Sequence, residues 1–259
     1  MSQEVFSEYK LPINGSLDKA NIHLSTIKPS DWIEQNRFMD SSVSRFKGQF
    51  SYDLTPYTRE IVDHLSPESD AHTVAIMKAA QIGLSAGLVE SGIPWIISQQ
   101  PANIILTVGH EEFIEETLVK VDNAIDSCGI RHLIRANTLN KRSKRTGDTG
   151  RKKEFPGGSL MTGNVSNHKL YRQRSAKYGL IDDFDGGKNE DKSSGSTRSM
   201  VEKRFSSYGS DKKLFYISSP ELKENSNIEP VYLLGDQGNT IGLARAAVLI
   251  FLWNGKLIL

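Results

Sequence analysis

"KAAQIGLSAG", Lys78 to Gly87, is the stretch on which the reading of the whole chain turns. A phosphate-binding loop usually reads G-x-x-x-x-G-K-[ST]. Here Gly83 and Ser85 hold the second-glycine and hydroxyl places, but Leu84 stands where the lysine belongs and Lys78 where the first glycine belongs. The flanks give the stretch its context. "HTVAIMK" (His72 to Lys78) is short and β-prone, and a helix is expected from near Leu84. Strand, loop and helix in that order let backbone N–H groups at the helix start, aided by the helix dipole, point at an anion. A lysine supplies a point charge that must reach the phosphate oxygens from no fixed sequence position, so Lys78 can serve from the start of the loop. Ser85 occupies the hydroxyl position that would hold Mg²⁺. Taken alone, a small-residue turn between a strand and a helix explains the stretch at least as well.

Outward from the loop, the chain alternates strands with helices. "TPYTREIVDHL" (Thr55 to Leu65) reads as a helix, with Thr55 as cap, Pro56 at the first position and Ile61, Val62 and Leu65 as its apolar stripe. "PSDWIEQNRFM" (Pro29 to Met39) suggests a short helix capped by Ser30 or Asp31. "ANIILTV" (Ala102 to Val108) is a second buried strand. "EEFIEETLVKVDNAI" (Glu111 to Ile125) has helical spacing at Phe113, Leu118, Val121 and Ile125. "YGLIDD" (Tyr178 to Asp183) and "KLFYISS" (Lys213 to Ser219) are further strands, separated by a Gly/Ser/charge-rich loop (Gly186 to Thr197) and a helix near Ser199 to Ser207. The pattern predicts an α/β fold: a P-loop NTPase-like, mainly parallel sheet with helices on both faces.

Two more strand ends bear on the loop. "YGLIDDFD" sets apolar residues directly before Asp182 and Asp183, the arrangement in which a strand delivers a Mg²⁺ carboxylate and the next acid orients an attacking water. A strand ending in an acidic turn is the plainer alternative. "FYISSP" (Phe215 to Pro220) ends its strand with Ser218 and Ser219, hydroxyls placed to sense a γ-phosphate. The three strand ends together favour a nucleotide site over a turn.

Composition narrows the class without choosing it. The chain has 259 residues, 37% of them hydrophobic, and a net charge of +1, so no overall field marks a nucleic-acid partner. The charge is uneven: Arg131, Arg135, Lys141, Arg142, Lys144, Arg145, Arg151, Lys152 and Lys153 fall in one segment against Asp148 alone. Such a segment suits a DNA backbone, where cations displace condensed counterions, and equally a solvated loop. A single cysteine, Cys128, excludes an internal disulfide. No apolar run approaches the roughly 20 residues of a membrane span. The histidines have no metal-ligand spacing, and neither a Ser/His/Asp set nor a cysteine nucleophile has support.

Six ordered blocks between about Asp31 and Gln237 carry a resemblance: "LTPYTREIVDHL", "VAIMKAAQIGLSAG", "KKEFPGGSLMTGNVSNHKLYRQ", "YGLIDDFD", "YISSP" and "SNIEPVYLLGDQ". The chain resembles the large terminase subunit of tailed phages, of the GpA (lambda-like) type, in its N-terminal DNA-packaging ATPase domain. Members of that family are similar in often moving the phosphate lysine to the start of the loop. The resemblance implies ATP and Mg²⁺ as cofactors, with Lys78, Gln81, Gly83 and Ser85 as the phosphate loop and Asp182 as the magnesium carboxylate. It implies Asp183 as the catalytic acid beside Lys78, and Ser218 and Ser219 as the motif coupling γ-phosphate state to movement. Tyr57 is a candidate adenine-stacking residue or a core tyrosine. Arg172 could face phosphate or DNA, and Arg204 is a weaker nucleotide-sensing candidate. Where the family usually has glutamate after the magnesium aspartate, this chain has Asp183, one methylene shorter. The implied partners are double-stranded DNA, a small terminase subunit and the procapsid portal, in an oligomer when active, in the cytoplasm of a bacterial host and with no membrane. A non-enzymatic remnant with weak nucleotide or DNA binding is the competing reading; a helicase-type ATPase shares the core but lacks the later blocks.

The resemblance divides the chain into a polar extension (residues 1–50), the ATPase domain (51–237) and an aberrant tail (238–259), with the family's nuclease domain absent. "GNTIGLARAAVLIFLWNGKLIL" carries no family feature. Synonymous codons exist for which one inserted base turns most of it into Q-Y-Y-R-P-C-P-R-C-G-A-Y-L-P-L-E-W-K, the aromatic–basic stretch and C-P-x-C knuckle the family would place here. Codon choice is free, but residue identity fixes most first and second bases. A single-base frameshift near codon 238 of a decayed prophage gene is therefore expected. So are poor packing of the tail and aggregation through "AAVLIFLW".

Overall fold

The computed structural model describes residues 27–39, 47–79, 82–136, 138–139, 145–146, 148, 150–167, 169–173, 175–186, 190–191, 195–220, 226–235, 239–241 and 247–253. Its centre is an eight-stranded sheet: β1 (Thr73–Met77), β2 (Ile104–Val108), β3 (Lys152–Phe155), β4 (Gly158–Asn164), β5 (Tyr178–Asp182), β6 (Lys213–Ser218), β7 (Asn239–Ile241) and β8 (Ala247–Trp253), in the spatial order β7-β8-β1-β6-β5-β2-β4-β3. The five inner strands, β1-β6-β5-β2-β4, run parallel. β3 joins antiparallel to β4 through the two-residue Pro156-Gly157 turn, and β7 and β8 extend the opposite edge antiparallel. The short hairpins Phe38–Met39/Gly48–Gln49, Thr138–Leu139/Arg145–Thr146 and Glu190–Asp191/Gly195–Ser196 stand outside this sheet.

Parallel strands are buried on both faces and so read as near-continuous apolar runs. β2 (IILTV) is buried at all five positions and β6 (KLFYIS) at all six. One face, with Val74, Ile76, Leu106, Leu180, Phe215 and Ile217, packs against α1 (Pro29–Asn36), α2 (Pro56–Asp63), α3 (Ser91–Gln99) and α4 (Ile114–Ser127). The other, with Ala75, Ile105, Ile181, Leu214 and Tyr216, packs against α5 (Leu170–Gln173), α6 (Thr197–Phe205) and α7 (Ile228–Tyr232). Helices therefore cover both faces, as the alternating pattern predicts.

Local details differ from the sequence reading. Neither Ser30 nor Asp31 caps α1, whose N-cap is Lys28 without a side-chain bond; Ser30 instead bonds Asp63 through its N–H (2.9 Å) and hydroxyl (3.0 Å), joining α1 to α2. Thr55 is the N-cap of α2 but caps no backbone N–H; its hydroxyl pairs with that of Thr58 at 3.0 Å. Phe113 is 49% exposed and edges against His110, while Ile114 takes the core position. Part of the tail, β7 and β8, joins the sheet by backbone pairing. A β1 edge left bare would present a row of unpaired N–H and C=O groups, and Ala247–Trp253, an apolar run of high β propensity, pairs with it from Trp253↔Thr73 to Leu249↔Met77.

Candidate functional site

The C-terminal ends of β1, β6 and β5 lie side by side, β6 between the other two. Lys78 follows β1 directly, and its backbone N–H donates to the Ser218 carbonyl at 3.0 Å, fixing the start of the loop to the end of β6. The loop turns at Gly83, whose φ of 80° is open to glycine and strained for other residues. A β-carbon there would lie 3.0 Å from Thr55 Cγ2, so the loop packs closely on the start of α2. Tyr57 reinforces that contact: its hydroxyl donates to the Ile82 carbonyl. Leu84, at the usual lysine place, is 1% exposed and part of the core. Gln81 lies outside the described residues.

The helix beginning at Leu84 opens with a π-helical stretch, Ser85–Glu90, before α3. Two features account for its geometry: Pro94 inside α3 removes a donor, and the Ala86 carbonyl is taken by the Arg37 guanidinium (2.7 Å) and the Ser91 hydroxyl (2.6 Å). Arg37, 3% exposed, also pairs with Glu90 at 3.0 Å, so a residue of the N-terminal part braces the helix that follows the loop.

Ser85 Oγ donates to Asp182 Oδ2 at 3.2 Å, joining the loop to the end of β5 across β6. Burial raises the Asp182 carboxyl pKa; the Lys78 ammonium, the Ser85 hydroxyl and the Asp183 N–H (3.0 Å to Oδ1) oppose it. Lys78 is thus close enough for its charge to act on Asp182. Asp183 has a φ of 54°, in the left-handed region that only a few non-glycine residues enter. Its carboxylate lies in a niche between Gly109, just past β2, and Gly186, where a β-carbon at either glycine would overlap it. Ser218 is fully buried; its hydroxyl accepts the Asp185 N–H at 3.0 Å and donates to the Ser219 carbonyl at 3.3 Å, while Ser219 is partly exposed.

Lys78, Gly83, Ser85, Tyr57, Asp182, Asp183, Ser218 and Ser219 therefore occupy one end of the sheet. The oxygen pair of Ser85 and Asp182 suits a hard cation that keeps most of its waters and takes one or two protein ligands. Among the described residues no group of three His, Cys, Asp or Glu could hold a metal.

Within the basic segment, four of the described side chains carry acidic partners, while Arg135 is exposed. Lys153 is 3% exposed and pairs with Asp122 (2.7 Å) and Asp148 (2.9 Å). Arg131 pairs with Asp122 and Asp126, each at 2.6 Å, Arg151 with Glu111 and Lys152 with Glu154. The partners on α4, Asp122 and Asp126, lie just before the basic run, which is why counting charges within the run missed them. Residues 141–144 and the side chains of Arg145 and Arg172 lie outside the described set. Arg204, on α6, has Nε and Nη2 enclosed without hydrogen-bond partners, and burial lowers its pKa. Among the described residues no helix is long and apolar enough to cross a membrane.

Residues 44–240 match the family model for the phage terminase large subunit gpA, ATPase domain. The chain belongs to this family. As a terminase ATPase domain it is similar in fold to the large terminase ATPase domain of Thermus phage P74-26, at 14% identity over 73% of this chain and 75% of that one, with a TM-score of 0.48. An arginine-to-alanine mutant of the same Thermus phage domain aligns at 12% identity, with a TM-score of 0.47 over 73% and 76%. No curated protein sequence matches. The candidate site also contains residues the sequence reading passed over. Gly109 had no motif to mark it. Asp185, 5% exposed, was visible only as a third acid in "DDFDG".

Proposed function

We propose that this domain is a motor that couples ATP hydrolysis to movement of double-stranded DNA into a procapsid. The observation that supports the reading is the Ser85–Asp182 hydrogen bond, which brings a hydroxyl and a carboxylate together at the strand ends where the Lys78 charge acts on Asp182. Lys78 would meet the phosphate charge, and Ser85 and Asp182 would hold Mg²⁺, which when bound supplies neutralisation of the phosphate oxygens. Asp183 would orient the attacking water, Ser218 and Ser219 would sense the γ-phosphate, and Tyr57 would border the base while bracing the loop. Gln81 completes the loop set by family resemblance. The small terminase subunit, the portal and further copies of the chain are the partners this role requires, in a bacterial cytoplasm. The test is ATP turnover with and without duplex DNA: stimulation supports the motor. Intact nucleotide binding with no turnover at saturating DNA overturns it in favour of a non-catalytic remnant.

Asp183 gives the finer test. Asp183→Asn should leave ATP affinity within about twofold and lower turnover by roughly 10²-fold, the usual scale for a positioned general base. Asp183→Glu should raise turnover by restoring the reach of the glutamate that the family usually carries at this position. Steady-state rates at saturating ATP decide it; a Glu variant no faster than the parent favours the remnant.

We also propose that residues 238–259 are encoded out of frame. The family match stops at residue 240, and pairing of β8 needs only a free edge and β propensity, which an out-of-frame apolar run can supply. The nucleotide sequence past codon 237 should give C-P-x-C and a long open continuation when shifted by one base. A shifted frame lacking both ends the idea.

A further inference from the structure

Asp185 is a buried carboxylate with no part in the roles above, and its hydrogen bonds tie three pieces of the fold together. It sits in the short turn Phe184–Gly186 that carries the chain away from Asp182 and Asp183. Its backbone N–H donates to the hydroxyl of Ser218 at 3.0 Å, at the end of β6. Its Oδ1 accepts the N–H groups of Asn227 (2.8 Å) and Ile228 (2.7 Å), and its Oδ2 accepts the Ser226 hydroxyl at 2.9 Å. The Asn227 amide reaches the Phe184 carbonyl at 3.3 Å in the same cluster. A charged acceptor so engaged makes stronger bonds than neutral partners would.

The bonds to the Asp185 carboxylate all fall at the start of α7, which packs on β1 and β6 through buried Ile228, Val231 and Tyr232. Asn227, the N-cap of α7, makes no side-chain cap bond; the Ser226 hydroxyl accepts the Glu229 N–H at 3.1 Å, and Asp185 satisfies the Asn227 and Ile228 N–H groups from more than 40 residues away along the chain. The Asp182–Asp183 turn, the Ser218 hydroxyl and α7 are thus joined at one side chain. Any shift of the acid turn or of the β6 end must move α7 or break these bonds.

We infer that Asp185 is a positioning residue that relays nucleotide state from the acid turn and the Ser218 strand end to α7. The inference rests on the ATPase reading. It separates Ser218 from direct phosphate contact: the hydroxyl is fully buried and serves the relay, while the neighbouring Ser219 is the partly exposed member of the pair.

The test is hydrogen exchange of the peptide covering residues 226–234, measured on the full chain with and without Mg-ATP, alongside an independent titration with a fluorescent ATP analogue. In the parent, nucleotide should slow exchange of this peptide by at least threefold. In Asp185→Asn the analogue should bind within twofold of the parent while the nucleotide-dependent change at 226–234 disappears. Ser226→Ala, which removes the hydroxyl that donates to Asp185 and accepts the Glu229 N–H but leaves the Asn227 and Ile228 bonds to Asp185, should give an intermediate change and serves if Asp185→Asn does not fold. A parent that binds the analogue but shows no change at 226–234 overturns the relay and leaves the ATPase reading standing. An equal change in parent and both variants does the same, even if the variants melt earlier, since a purely structural cap would lower stability and spare the response. A parent that does not bind the analogue removes the ATPase reading and the relay with it.

Discussion

Lys78→Ala should raise the dissociation constant for Mg-ATP by roughly 10²- to 10³-fold, the scale expected when one charged donor leaves a phosphate site. Nothing described in the loop can replace it: Leu84, at the usual lysine place, points into the core at 1% exposure. A lysine at that place would bring an ammonium into a cluster containing Leu88, Ile93 and Trp95 rather than to a ligand. The control is therefore Leu84→Ala. It should cost about 2–5 kcal/mol of stability as a core truncation, while the folded fraction binds nucleotide as the parent does. Nucleotide titrations paired with thermal melts separate the two. Equal affinity for Lys78→Ala and the parent would remove Lys78 from the site.

Asp182→Asn should move stability and binding in opposite directions. Burial raises the carboxyl pKa in the fold, so the charged form at neutral pH costs stability, a cost relieved as pH falls through the folded pKa. An amide is neutral throughout. It removes that cost and, with the Lys78 attraction the smaller influence, the variant should melt above the parent near pH 7. The gain is about 2–4 °C for each kcal/mol recovered, and it should shrink toward acid pH. At the same time the oxygen pair loses its charge, and the Mg²⁺ dependence of ATP binding and all turnover should fall by at least roughly 10²-fold. An Asn variant that melts lower, or that still responds to Mg²⁺, would contradict the assignment.

The order of elements was legible because strands buried on both faces leave unbroken apolar runs: "TVAIM", "IILTV" and "KLFYIS" announce β1, β2 and β6. Lys78, Ser85 and Asp182 were legible because each directly ends a strand or opens a helix. The caps were not. Ser30 and Thr55, which short-range rules assign to the nearest helix, bond Asp63 and the Thr58 hydroxyl instead, and Asp185 serves a helix more than 40 residues further along the chain. The same limit hid the ion pairs of Lys153, whose partner Asp122 lies on α4. Gly109 went unseen because its role is to leave space for a side chain roughly 70 residues away, a purely steric demand set by close packing.

The place of β1 in the sheet has a consequence for how the chain emerges from the ribosome. β1 carries the phosphate loop, yet its neighbours are β6 and β8, not the strand that follows it in sequence. Synthesis at about 5–20 residues per second leaves β1 without a parallel partner until about 140 further residues have been added. During those ten seconds or so β2 can assemble with β4 and β5, its neighbours on either side. β6 then arrives between β5 and β1 and brings the phosphate loop, the acid turn and the Ser218 strand end together in one late step. The site is therefore among the last parts of the domain to exist, and a nascent chain stalled before Lys213 should have no nucleotide affinity at all.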